Sequence, residues 1–132
     1  MKKFLLLSVG LILLSGCGII YQNNVEKLLE SATEESYGKK PENYKIIMEN
    51  GIKMTLKDPD SVQFKNWVEP YKCYFQSKES MTTPVLGWCS SVYYNAKNSF
   101  GGYVGYKYEE IHWVDGSVYS VCKMTEYGLL CS

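Results

Sequence analysis

The chain has 132 residues, with 14 Lys, no Arg and 14 acidic residues, a formal charge of zero and a pI of about 6.6. Without Arg or a basic excess it is a poor nucleic-acid binder, because phosphate neutralisation and bidentate base reading depend on those side chains. Its length suits one domain with one modest core.

The chain opens with Lys2-Lys3, an apolar run from Phe4 to Leu14, and Ser15-Gly16. These are the n-region, h-region and small-residue site of an export signal, and the run is too short for the ~20 residues a membrane span needs. Leu14-Ser15-Gly16-Cys17 resembles the bacterial lipobox. That resemblance implies a diacylglycerated Cys17, cleavage just before it and acylation of the new amino group. Residues 1–16 are then a removable signal peptide, and the partner at the N-terminus is a membrane reached through lipid. Two or more acyl chains give stable anchoring. Gly18 is not the Asp that retains many enteric lipoproteins, so the resemblance implies outer-membrane sorting. Without residues 1–16, 12 Lys face 14 acidic residues, a formal −2.

Residues 17–40 read as a lipidated tether followed by a marginal helix over 25–37, whose apolar positions Val25, Leu28, Leu29 and Ala32 stop early. Gly38-Lys39-Lys40 breaks it, and residues 41–132 form the domain. Pro41 suits the first position of a helix. Tyr44, Ile47, Met48, Gly51, Ile52 and Leu56 recur at three- and four-residue steps, one face of an amphipathic helix that stops at Asp58-Pro59-Asp60-Ser61. Short strands rich in Val, Tyr, Phe and Trp follow, at 62–68, 71–76, 86–94, 103–114, 118–124 and 129–131. Asp115-Gly116 is the strongest hairpin signal, because a type I′ turn needs positive φ at both central residues. Glu109-Glu110 interrupts the alternation, which points to a bulge or an exposed edge there. The expected fold is α+β: one amphipathic helix on an antiparallel sheet of about five or six strands, with two disulfides.

Cys73, Cys89, Cys122 and Cys131 remain once Cys17 is assigned to lipid. In an exported domain they read as two disulfides, with three connectivities open. Hairpin geometry favours Cys73–Cys89 with Cys122–Cys131, each pair facing across an antiparallel ladder. Zinc would call for paired Cys-x-x-Cys or several His, and His112 is the sole histidine, so no metal and no cofactor are expected. No nucleophile elbow, phosphate loop or zinc-protease motif occurs, and Glu109 and Glu110 point to opposite faces of a strand. The expectation is a protein that is not an enzyme.

Two stretches, Leu56-Lys57-Asp58-Pro59-Asp60-Ser61-Val62-Gln63-Phe64 and the run from Cys89 through Asn95-Ala96-Lys97-Asn98-Ser99-Phe100-Gly101-Gly102-Tyr103-Val104-Gly105-Tyr106, resemble paired segments of small exported bacterial proteins of no established function. The resemblance covers about the last 75 residues and implies a fold and an envelope location, not an activity. The glycine-rich loop has two readings: Phe100, Tyr103 and Tyr106 pack while the glycines let the strand bend closely over the helix, or the three aromatics form an exposed binding surface. The functional expectation is a lipid-anchored binding or accessory protein of the cell envelope, with an envelope or host protein as partner. Its alternatives are an inhibitor of host lysozyme-type hydrolases, loosely echoed in Ser99 to Tyr103, and a structural subunit of an envelope assembly.

Overall fold

The computed structural model describes residues 2–132, with side chains from Gly16 onward. Of the expected signal peptide, residues 1–16, the side chains of 1–15 lie outside the described residues. Two α-helices, α1 (Lys2–Ser31) and α2 (Tyr44–Thr55), precede five strands: β1 (Gln63–Gln76), β2 (Pro84–Asn95), β3 (Lys107–Val114), β4 (Ser117–Thr125) and β5 (Gly128–Cys131). The strands form one antiparallel meander in sequence order, and two disulfides tie it.

Residues 18–24, expected as a tether, continue α1, which ends at Ser31 instead of reaching Tyr37. Nothing between Gly18 and Ser31 stops a helix, and Tyr21, Asn24, Val25, Leu28 and Ala32 fall on one helical face that is less exposed than the rest. Val25 is buried, and Asn24 Nδ2 donates to the Thr82 carbonyl at 2.7 Å. A separate 3₁₀ turn occupies Glu34–Tyr37, opened by the Thr33 N–H donating to Ser36 Oγ at 2.9 Å. Beyond it Trp88 Nε1 donates to the Gly38 carbonyl at 3.1 Å, and the Lys39 N–H donates to Asp115 Oδ1 at 3.1 Å.

Pro41 is buried but lies before α2, which begins at Tyr44 after Asn43. Met48 and Ile52, one turn apart, are fully buried against Val92, Tyr94, Ile111 and Trp113 of the sheet. Tyr44, Leu56, Phe64, Trp67 and Trp88 pack around that cluster. Ile47, expected on the buried stripe, is exposed.

β1 is one strand where two were expected. It runs through Pro70 with register breaks between Lys65 and Val68 and between Val68 and Tyr71, and Asn66 has φ 54°. An edge strand tolerates a proline whose missing N–H would otherwise join a ladder. Conversely, the expected strand from Tyr103 starts only at Lys107. Asp115 (φ 53°) and Gly116 (φ 81°) make the type I′ turn. Glu109 and Glu110 mark neither a bulge nor an edge. Both pair in register with β2 and β4 at the centre of the sheet, and the break in β3 comes at His112/Trp113.

Both disulfides have the expected pairing. Cys122 and Cys131 are opposite each other, whereas Cys73 faces Gly87 and Cys89 faces Tyr71, so the Cys73–Cys89 bridge is diagonal with Cα atoms 5.9 Å apart. The loop over residues 77–83 sets that offset by pairing Gln76 with Pro84. Gly87 itself is obligatory: a Cβ there would lie 2.3 Å from the Trp113 carbonyl oxygen.

Candidate functional site

Ser61 joins the two segments that stand out in the sequence. Its Oγ donates to the Asp58 carbonyl at 2.7 Å and accepts the Lys97 N–H at 2.8 Å, while its carbonyl accepts the Tyr103 hydroxyl at 3.0 Å. The helix-stop turn at Pro59–Ser61 is thereby fixed to the loop that follows β2. Within the loop, Asn98 Oδ1 accepts the N–H groups of Phe100 (2.9 Å) and Gly102 (3.2 Å), and Asn95 Oδ1 accepts that of Gly105 (3.1 Å). The Asn98 N–H reaches the Gly102 carbonyl at 2.8 Å, and Lys97 bridges Tyr103. Asparagine side chains thus replace the ladder that a strand would have supplied.

The glycines serve conformation, not close approach. Gly101 and Gly105 have φ 81° and 101°, yet a Cβ at either would meet nothing within 4 Å. The packed reading of the loop fails for Phe100, which is 97% exposed at the tip. Tyr103 and Tyr106 are 45% and 42% exposed, and each has a lysine over its ring: Lys97 at 5.6 Å and Lys65 at 3.6 Å from the centroid. A pocket of about 180 Å³ lies beneath, between Thr55 at the end of α2 with Leu56 and Lys57 after it, the loop residues Ala96, Lys97 and Val104, and Lys107 at the start of β3. Sequence reasoning missed the lysines. The available signal was that each distinctive segment carries one, Lys57 and Lys97, just outside a regular element.

A second cluster occupies the sheet face opposite α2. Ser120 Oγ lies 2.8 Å from His112 Nδ1, His112 Nε2 lies 2.8 Å from Glu110 Oε1, and the Tyr108 hydroxyl donates to Glu110 Oε2 at 2.7 Å. Phe75 stacks on the imidazole at 4.4 Å. The His112 hydrogen bond, assisted by Tyr108, holds the Glu110 carboxyl below its usual range against the opposing effect of burial. Burial first, and Glu110 second, push the Tyr108 hydroxyl up to about 12. Ser120, His112 and Glu110 follow one another in this hydrogen-bonded series, and Ser120 and His112 are both buried. Cys89 lies close enough to Glu110 and His112 to complete a metal-ligand triangle, but its sulfur is bonded to Cys73 and is not a thiolate.

Cys17 is exposed on α1 and unpaired. Among the described residues no helix is long and apolar enough to cross a membrane. No family model, no curated protein and no solved structure matches this chain.

Proposed function

We propose that this chain is a lipid-anchored binding protein of the cell envelope, without catalytic activity, that captures a protein partner through the loop carrying Phe100, Tyr103 and Tyr106. The observation that carries the reading is a fully exposed phenylalanine on a loop whose backbone is tied down by Asn95, Asn98 and Ser61. A loop backbone that is already tied down has little further entropy to lose on binding, so burying the ring there yields affinity efficiently. Tyr103 positions the loop through Ser61, and Phe100 makes the contact. Lys57, Lys65, Lys97 and Lys107 around the loop favour a partner that presents an apolar pocket beside acidic groups. Lipid on Cys17 and outer-membrane sorting rest on the lipobox resemblance and on the exposure of that sulfur.

The test is cross-linking and recovery of the membrane-bound protein. Phe100→Ala should leave the melting temperature within the scatter of surface substitutions, about 0.5 kcal/mol or less, and abolish capture of the partner. Normal capture by this variant refutes the loop surface. Cys17→Ser should eliminate acyl labelling, and retained palmitate label would refute the anchor.

A further inference from the structure

The loop over residues 77–83, which closes the β1–β2 hairpin, finds backbone partners within the protein. The N–H groups of Ser77 and Lys78 donate to the Thr83 carbonyl and the Tyr119 hydroxyl, both at 2.9 Å. Those of Glu79 and Thr82 donate to Ser77 Oγ at 3.1 Å and Ser80 Oγ at 3.3 Å. The Met81 carbonyl accepts Gln76 Nε2 at 2.6 Å, and the Thr82 carbonyl accepts Asn24 Nδ2 at 2.7 Å. Out of this tied loop projects the Met81 side chain, 72% exposed. Backbone groups that already have partners enter low-dielectric surroundings at small cost, and the apolar side chain gains by leaving water.

The course of the chain after α1 tells where the tip points. Asn24 is bonded to the loop at Thr82, whereas further on Glu34 pairs with Lys72 and the Gly38 carbonyl accepts from Trp88. Lys72 and Trp88 face each other well inside the hairpin. The chain thus advances from the hairpin tip toward the middle of the sheet, and the helical residues before Asn24 lie beyond the tip. Cys17 is about two turns before Asn24 on the same helix, and Ile19 and Ile20 just after it are 57% and 50% exposed. Single exposed apolar residues are ordinary, but these three gather at the end that carries the lipidation site. The loop holds one Lys and one Glu, so its charge cancels. From this end β2 leads away, from Pro84 to Asn95 and the aromatic loop.

We propose that the hairpin tip is a second contact with the lipid surface, in which Met81, Ile19 and Ile20 enter the boundary between headgroups and acyl chains. The aromatic loop is then held at the end facing away from the lipid. This rests on the reading that Cys17 is acylated, and it specifies an apolar contact that needs no anionic lipid. The mature acylated protein, labelled with ¹³C at its methionine methyls, is placed in phosphatidylcholine nanodiscs with and without a lipid carrying a nitroxide on its acyl chain. Mass spectrometry of the same sample establishes the acyl groups. The Met81 methyl should lose at least about half its signal to the nitroxide, because apolar groups at such a boundary lie ~5–10 Å deep. Met54 and Met124, also exposed but beside Thr55 and Lys123 toward the other end of the sheet, should keep theirs. The loss should persist at ~1 M salt, where charges are screened within about 3 Å. Equal or greater loss at Met54 or Met124, no loss at Met81 in acylated protein, or a loss that needs added phosphatidylglycerol or low salt overturns the proposal. A mass without acyl groups refutes the anchor itself, and the proposal falls with it.

Discussion

The two faces of the sheet are stabilised by different chemistry, and two adjacent residues show it best. Glu109 and Glu110 are neighbours on β3, yet one points under α2 into apolar surroundings and the other away from it into a polar network. On the helix side Trp113, Met48 and Ile52 exclude water by packing, and Glu109 there is left with one unpaired oxygen. The other side carries Glu110. Histidine, tyrosine and serine hydrogen bonds and two disulfides order that face instead. The same residue type, one position apart, is shifted upward on one face and downward on the other. Surroundings, and not residue identity, decide the sign.

The contrast can be broken most forcefully at Trp113, whose ring is fully buried and whose Nε1 donates to Ser90 Oγ at 2.7 Å. Trp113→Ala should cost about 3–5 kcal/mol in urea unfolding, because it removes both the packing and the donor to a buried hydroxyl. A loss below ~1 kcal/mol would mean that α2 packing is not what holds that face. On the opposite face, replacing Cys73 and Cys89 together by Ala should cost about 2–4 kcal/mol by the same measurement. A negligible loss would mean that the hydrogen-bond network orders that face without its bridge.

The smallest and sharpest test sets Glu109→Gln against Glu110→Gln across pH. Glu110 is lowered in the folded state, so its stabilisation is present above the ordinary carboxylate pKa and is lost as pH falls through the lowered folded value. Glu109 is raised, so its contribution is present below the ordinary value and is lost as pH rises through the raised folded value. At neutral pH Glu110→Gln should therefore destabilise by about 1–3 kcal/mol, whereas Glu109→Gln should be neutral or stabilising by about 1 kcal/mol. Melting temperatures of wild type minus each variant should move in opposite directions between neutral and acidic pH. Parallel curves would show that the two faces do not differ electrostatically.

Local chemistry was the legible part of this fold. The Asp115-Gly116 turn, the turn at Pro59–Ser61 and the disulfide pairing each depend on residues near one another along the chain, so their signals survive in sequence, although α2 itself ends earlier, at Thr55. What failed to show depends on tertiary neighbours. The continuation of α1 was hidden because the less exposed face of Tyr21, Asn24, Val25 and Leu28 mixes polar with apolar residues. The run of β1 through Pro70 could be inferred only by knowing that β1 is an edge. Glu109 looked like an interruption because sequence cannot reveal that a carboxylate is buried at the centre of a sheet. For the candidate site, Phe100, Tyr103 and Tyr106 were identifiable as a group, but their exposure was not. It depends on asparagine and Ser61 bonds that close the loop on itself instead of against the core.

Val25 docks on the domain eight residues after Cys17, with unbroken helix between them. At 1.5 Å per residue that is ~12 Å of rod. On the lipid-anchored reading the sheet is therefore mounted on a short, stiff stem and not moored by a slack leash. Its reach is shorter than its own width, its tilt relative to the lipid surface is restricted, and any partner has to come close to the membrane to meet it.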